Sequence, residues 1–327
     1  MASGEDSLIA RYFKPLATDA GAFALDDDAA VLKARGDDIV VTTDAIVEGV
    51  HFLPDDPPDT VARKALRVNL SDLAAKGADP AGFVLTLALR KADEAWLTAF
   101  ASGLGQDTEA FGCPLLGGDT VSTPGPLTVS ITAFGRVSEG KIVHRSGAKP
   151  GDRVMVTGTI GDAALGLDIL KGGAVAAALA GNPSAKEILV GRYRVPQPRN
   201  ALSGAVRNSA SAAMDVSDGL AGDLAKLCAV SGVSATIDAA LVPASAPAAA
   251  LLARGAVRLE ALLSGGDDYE ILCTVPEARL EALMEDARRA GVALTAIGTI
   301  VAGTGAPRFL DARGNEIALQ RTSYSHF

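Results

Sequence analysis

The sequence predicts a two-domain protein of the α/β (α+β) class, and three observations carry that prediction. A length of 327 residues exceeds one ordinary core and suits two domains of about 150 residues each. Short apolar, β-branched runs alternate with longer amphipathic ones, the pattern of a sheet layered with helices. The turn-rich passage Gly147-Ala-Lys-Pro-Gly-Asp152 is followed by a fresh start of the same alternation. The boundary is expected near Pro150, giving one domain over 1–150 and another over 151–327.

In the first half, 7–16 is expected to be a short helix, because Leu8, Ile9, Tyr12, Phe13 and Leu16 recur at helical spacing. Strands are expected over 29–32 and 39–43, joined by a polar turn at Gly36 and Asp37. Pro57 and Pro58 break the chain before a helix over 60–76, with Asp59 as its expected N-cap. A strand over 83–89, a helix over 94–111 and a strand over 127–137 follow. The second half reads as strand 153–157, helices 162–170 and 186–193, strand 212–215, helix 220–231 and strand 234–237. Strand 269–274, helix 276–290 and strand 294–300 complete it, and the alanine-rich runs 174–180 and 244–253 look like helix surface.

Composition narrows the function classes. Hydrophobic residues at 48% supply two cores, and charged residues at 21% are ordinary for a globular chain. The 30 basic and 39 acidic residues give −9, which argues against a nucleic-acid partner or an anionic membrane surface. No apolar stretch approaches the ~20 residues of a membrane span. Glu5, Asp6, Arg11 and Lys14 lead to the expectation that 1–16 is not a signal peptide. Cys113, Cys228 and Cys273 are odd in number and far apart, as expected of reduced thiols in a cytoplasmic protein. His51, His144 and His326 lack zinc-ligand spacing.

Acidic clusters recur at strand ends and turns. Val40-Val-Thr-Thr-Asp44 is an apolar run ending on hydroxyls and a carboxylate, which is costly to bury unless a positive charge sits beside it. Thr42, Thr43 and Asp44 suit a hard cation, since Mg²⁺ takes oxygen ligands and keeps several waters. Asp26-Asp27-Asp28 precedes the first strand, with a solvated turn as the plain alternative. Asp72 shares a helical face with Asn69 and Lys76, so a salt bridge to Lys76 competes with metal binding. Leu116-Gly-Gly-Asp-Thr120 offers glycines for close backbone approach, then a carboxylate and a hydroxyl. Met214-Asp-Val-Ser-Asp-Gly-Leu220 puts two acids and a serine at a strand–helix junction, where free helix amides would suit a metal-bound phosphate. Ser264-Gly-Gly-Asp-Asp-Tyr-Glu270 repeats the glycine–acid pattern. One such cluster is weak evidence; six point to metal ions that hold a polyphosphate.

The familiar phosphate motifs are missing. There is no G-x-x-x-x-G-K-[ST], no protein-kinase glycine loop, no dinucleotide fingerprint and no G-x-S-x-G elbow. An ATP user of this composition must hold phosphate mainly through Mg²⁺ bridged by aspartates. Arg145 is the basic residue best placed by context for a phosphate contact, and a surface-loop arginine is the alternative.

Five motifs, in this order, carry a resemblance. They are Asn69-Leu-Ser-Asp-Leu-Ala-Ala-Lys-Gly-Ala-Asp-Pro80, Gly117-Gly-Asp-Thr120, Arg145-Ser-Gly-Ala-Lys-Pro-Gly-Asp152, Asp215-Val-Ser-Asp-Gly-Leu220 and Ser264-Gly-Gly-Asp-Asp-Tyr-Glu270. The chain resembles the thiamine-monophosphate kinase family of the AIR-synthetase-like (PurM-like) superfamily from Ser7-Leu-Ile-Ala-Arg-Tyr-Phe13 to Ser323-Tyr-Ser-His-Phe327. The resemblance implies a two-domain PurM-like fold and a homodimer whose N-terminal mixed sheets pair into a barrel, with the active site between the domains. It implies several Mg²⁺ ions, with ligands at Asp28, Thr42, Thr43, Asp44, Asp72, Asp119, Asp215 and Asp218. It further implies nucleotide contacts at Gly118, Asp119, Arg145 and Ser217, and thiamine-phosphate contacts at His51, Asp267 and Tyr324. The implied reaction is direct transfer from ATP to thiamine monophosphate, with no side-chain nucleophile. Tyr324 would pack against a thiamine ring, with a C-terminal anchor as its alternative role.

Two departures stand out. The family commonly has Gly-Asp-Asp where this chain has Asp26-Asp27-Asp28, and often Gly-Gly-Glu-Asp where it has Asp267. Rival readings are another ATP-using superfamily member or a non-catalytic, metal-stabilised binding protein. Aminoimidazole-ribonucleotide and selenophosphate synthetases and a hydrogenase maturation factor are the rivals within the superfamily. The chain ends in Ser325-His-Phe327 rather than a cysteine, unlike the maturation factor, and its first cysteine is Cys113, later than a selenophosphate synthetase needs.

Overall fold

Two sheets, with one buried helix between them, position everything that follows. The computed structural model describes residues 26, 30–34, 36–91, 93–319 and 323. The expected helix over 7–16, Asp28 and Tyr324 lie outside the described residues.

The first sheet has five strands in the order β1-β2-β5-β3-β4. They are β1 (Ala30–Ala34), β2 (Asp37–Val47), β3 (Asp79–Leu89), β4 (Leu115–Ser122) and β5 (Thr128–Ser138). Only β3 and β4 run parallel, joined by the helical crossover such a pair requires. Two long helices belong to this half, α1 (Pro58–Ala75) and α2 (Glu94–Phe111). Asp93 caps α2 by accepting from the Trp96 N–H, and Gly112 ends it in the left-handed conformation.

β4 was not expected as a strand. Its glycines weaken the strand pattern, and it is an exposed edge without the buried alternation that marks a core strand. Gly118 is required by close packing within the sheet, because a Cβ there would lie 1.9 Å from the Leu85 carbonyl oxygen on β3. The N-cap expectation for α1 also changes. Pro57 takes that position, Pro58 follows where a missing N–H costs nothing, and Asp59 sits in the first turn near the positive end of the helix.

The second sheet has six strands in the order β11-β8-β10-β6-β9-β7. They are β6 (Arg153–Thr157), β7 (Ala212–Asp215), β8 (Ser234–Asp238), β9 (Ile271–Val275), β10 (Leu294–Val301) and β11 (Arg308–Leu310). Around it stand α3 (Asp162–Leu170), α4 (Ala174–Ala178), α5 (Pro183–Arg194), α6 (Ser203–Ser209) and α7 (Leu220–Ser231). Three more helices follow: α8 (Ala246–Ala253), α9 (Leu259–Leu263) and α10 (Glu277–Arg289). The strand expected from 269 begins instead at Ile271, because Tyr269 has φ +51°, outside the extended region.

α1 joins the halves. Leu66, Leu70 and Leu73 are fully buried in the core of the first sheet with Phe83 and Ile131. Ala74 and Ala75 pack instead in a cluster with Met155, Leu202 and Ile271 of the second half. The helix has no solvent face over most of its length; its buried polar residues include Lys64, Arg67 and Ser71, and Lys76, which caps it, is buried too. Such residues are rarely buried without partners. Among the described residues, no helix is long and apolar enough to cross a membrane.

Candidate active site

The site begins with the alternation of β2. Thr42 and Asp44 are two residues apart and share the face turned to α1, where the Thr42 hydroxyl donates to Asp72 Oδ2 at 2.5 Å. The neighbouring Asp72 lowers Asp44 by hydrogen bonding, against the larger effect of burial. Thr43 points the other way. Its exposed hydroxyl donates to the Ile131 carbonyl at 3.1 Å and accepts from Thr132 at 2.9 Å. Of the three adjacent residues expected as ligands, Thr43 therefore turns its hydroxyl away from Thr42 and Asp44.

α1 carries the group across to the second half. Ser71, beside Asp72, donates to Oδ2 of Asp215 at the end of β7, at 2.7 Å. Asn69 leaves the group, because its amide folds back onto the Ala65 carbonyl at 3.0 Å. Lys76 sends its ammonium to the Ala213 carbonyl at 2.9 Å and lowers both Asp72 and Asp215 by its charge.

That charge does not offset the cost of burial. Desolvation, with a smaller contribution from Asp218, pushes Asp44 up to about 6. Asp215 rises to about 7, from burial first and then from Asp223 and Asp44. Asp72 is held well above the usual carboxylate range by burial and by Asp215 and Asp44. These acids disfavour one another's charge, the condition that a bound cation relieves.

Two loops close over the group. Asp267 N–H donates to the Ser217 carbonyl and Tyr269 N–H to that of Val216, both at 2.8 Å. The fit is tight: a Cβ on Gly266 would lie 2.5 Å from the Ser217 carbonyl oxygen. Asp223, in the first turn of α7, accepts from the amides of Ser217, Asp218 and Gly219 at 3.0–3.2 Å. The amides of this loop, just before the helix, are therefore engaged. Lys226 bridges Asp218 at 2.5 Å and Asp223 at 3.2 Å.

His51 and Asp267 meet through a residue that sequence reasoning passed over. Lys64 donates to the His51 carbonyl at 2.8 Å and to Asp267 Oδ2 at 2.9 Å. His51 Nδ1 accepts from the Val47 amide at 3.0 Å, which leaves Nε2 to carry the proton of a neutral ring. Ser71, Asp223 and Lys226 were missed as well. Asp223 carried a usable signal, an acid in the first turn of a helix entered through Gly219.

The remaining expected residues fall nearby or apart. Arg145 is half-buried, and the carbonyl of its neighbour His144 accepts from the Ala213 amide at 2.9 Å, which straps this segment to β7. Asp119 and Gly118 lie on exposed β4, where Asp119 accepts from the Thr120 amide at 2.8 Å.

The donor set suits a hard divalent cation: oxygen ligands only, in a buried group whose negative charges repel. Among the described residues, no three His, Cys, Asp or Glu side chains close into a ready-made metal cage. Mg²⁺ keeps waters and takes phosphate oxygens beside one or two carboxylates.

Comparison with known proteins places the chain in a family. The family described as AIR synthase related protein, N-terminal domain, matches residues 26–137, and its C-terminal domain counterpart matches 149–309. The thiamine-monophosphate kinase of Caulobacter vibrioides is 44% identical over 97% of this chain and 89% of its own. That of Escherichia coli is 41% identical over 100% of this chain and 99% of its own. A solved structure described as AaThiL complexed with AMPPCP and TMP superposes with a TM-score of 0.85 at 28% identity, covering 99% of this chain and 97% of that one. With both halves matched and full-length identity above 40%, the chain belongs to the thiamine-monophosphate kinase family of AIR synthase related proteins.

Proposed function

We propose that this protein transfers the γ-phosphoryl group of ATP to the phosphate of thiamine monophosphate, giving thiamine diphosphate and ADP. The carrying observation is the meeting of Asp44, Asp72 and Asp215, from three elements in both halves, each held above the usual carboxylate range first by desolvation and then by neighbouring carboxylates. Asp44, Asp72, Asp215 and Asp218 would hold Mg²⁺ with support from Thr42, and Asp28 and Asp119 are assigned to further ions. Bound Mg²⁺ neutralises two polyanions and stabilises the charge of the transition state.

The chain itself has a positioning task. The acceptor is already an anionic phosphate oxygen, so no strong general base is needed and no side-chain nucleophile is assigned. Gly118, Asp119, Arg145 and Ser217 are assigned to the nucleotide, and His51, Asp267 and Tyr324 to thiamine monophosphate. The backbone hydrogen bond from Asp267 to Ser217 supports this division, since it sets the two subsites side by side. The His51 ring is oriented by the Val47 amide, which donates to Nδ1.

The same reading extends to the whole molecule. Residues 1–150 are assigned ATP, metal and dimer contacts, and 151–327 form the second domain. A homodimer is supported by edge strand β4, which exposes Leu115, Leu116 and Val121. A cytoplasmic location is supported by three free, buried cysteines.

The test is ADP release with Mg-ATP, with and without thiamine monophosphate, while thiamine diphosphate is followed by chromatography. Thiamine diphosphate formed by the wild type and lost in Asp44→Asn is the expected result. ADP without thiamine diphosphate would move the reading to another acceptor. Neither product, with Mg²⁺ still raising the melting temperature, would leave a metal-stabilised binding protein.

A further inference from the structure

We infer that Lys64 is a positioning residue for the thiamine monophosphate subsite, acting through Asp267 and the His51 segment; the inference rests on the proposed substrate roles of those two residues. Lys64 is 2% exposed, whereas the Asp267 side chain that it grips is 25% exposed. An ammonium has three protons and no acceptor. Here it faces three partners: the His51 carbonyl, Asp267 Oδ2, and the ring of Tyr193 at 3.8 Å from the centroid. The Tyr193 hydroxyl donates to the same His51 carbonyl at 3.1 Å. One buried cation thereby ties together the segment after β2, helix α1, helix α5 and the Gly-Gly-Asp loop.

The loop needs such a tie. Asp267 is held at φ +70°, a conformation that non-glycine residues rarely adopt and that surrounding contacts must enforce. Its carboxylate is fixed at both ends, with Oδ2 on Lys64 and Oδ1 accepting from the Tyr269 hydroxyl at 3.3 Å. Lys64 is too deeply buried to meet the substrate itself. Its effect is to set the spacing and direction of Asp267 relative to His51, and so the geometry of what the two hold. Burying a lysine for core stability alone would be costly, since an apolar side chain of similar volume packs there without the desolvation penalty.

The experiment compares wild type, Lys64→Met, Lys64→Arg, Asp267→Asn and the Lys64→Met/Asp267→Asn double variant. Steady-state kinetics give kcat and separate KM values for thiamine monophosphate and ATP, and calorimetry gives direct thiamine monophosphate binding. Lys64→Met is expected to raise KM and weaken binding of thiamine monophosphate at least tenfold, with KM for ATP within twofold of wild type. Lys64→Arg, which keeps the charge but moves the donors, shows the same selective rise to a smaller degree. The double variant is expected to be no worse than the poorer single, because both act on one contact. Unchanged thiamine monophosphate KM in a folded Lys64→Met protein overturns the inference. So does an equal rise in both KM values, or full additivity with Asp267→Asn. If Lys64→Met does not fold, an unchanged KM in Lys64→Arg overturns it. A wild type that binds no thiamine monophosphate overturns the functional reading instead.

Discussion

Two buried acidic groups stand close together in this protein, and they are balanced in opposite ways. Glu270 is fully buried, yet it accepts from Arg192 at 2.7 Å, from Arg199 at both carboxylate oxygens and from the Thr157 hydroxyl at 2.7 Å. Asp44, Asp72 and Asp215 are pushed upward by burial and by neighbouring carboxylates, and the nearby Lys76 does not compensate for Asp72 and Asp215. The first group is complete as a structural tie across β9, α5 and the loop before α6. For the second, the proposed Mg²⁺ would supply the counter-charge. A buried carboxylate alone therefore says little, and the identity of its counter-charge separates scaffold from chemistry.

The comparison can be broken most sharply by neutralising one acid in each group. Asp72→Asn should lower turnover by roughly a hundredfold to a thousandfold, since it removes a ligand for the ion that stabilises transition-state charge. It should leave the metal-free melting temperature equal to or above that of wild type, because it removes repulsion. Glu270→Gln should do the reverse, costing about 3–5 kcal/mol of stability by leaving two arginines around a neutral amide. Paired denaturation and activity measurements check both directions. If Asp72→Asn unfolds and Glu270→Gln does not, the assignment of the two groups is inverted.

A smaller effect follows from pH. The ordinary carboxylate value is 3.8, while Asp44 stands at about 6 and Asp215 at about 7 in the folded protein. The folded state thus holds protons that the unfolded chain has already released. Metal-free stability contributed by these groups should be greatest below about pH 4 and fall as pH rises toward 7. Mg²⁺ should raise the melting temperature more at pH 7.5 than at pH 5. A metal-free protein whose stability from this group grows with pH would contradict the assignment. The smallest expected change is in Lys226→Met. Its ammonium competes for Asp218, so its loss should lower the Mg²⁺ concentration needed for half-maximal stabilisation severalfold, read by thermal titration.

Much of the scaffold was legible because it obeys one period at a time. α2 and α3 begin and end where the apolar spacing and flanking signals place them, as does strand β7. β4 was not legible, since Gly117, Gly118 and an unburied edge erase the alternation that marks a strand. At the site, Asp44, Asp72 and Asp215 were found because acids beside apolar runs are conspicuous. Thr43 was read together with Thr42 because adjacency in sequence was taken before the two-residue period of the strand was applied. Lys64 was hidden for a different reason. It sits two turns before Asp72 on a helix that looks amphipathic, so its charge reads as solvent-facing, and only the second half of the chain covers it. Partners such as Asp267, 203 residues away in the chain, leave no local mark.

The most direct measurement is crystallographic, with Mn²⁺ in place of Mg²⁺, an ATP analogue and thiamine monophosphate, and the metals located by their anomalous scattering. Metal density bridging carboxylate oxygens of Asp72 and Asp215 to phosphate is the expected result. Metal bound only elsewhere, with Thr42 still donating to Asp72 and Ser71 to Asp215, would contradict the assignment of this group as the phosphoryl-transfer centre.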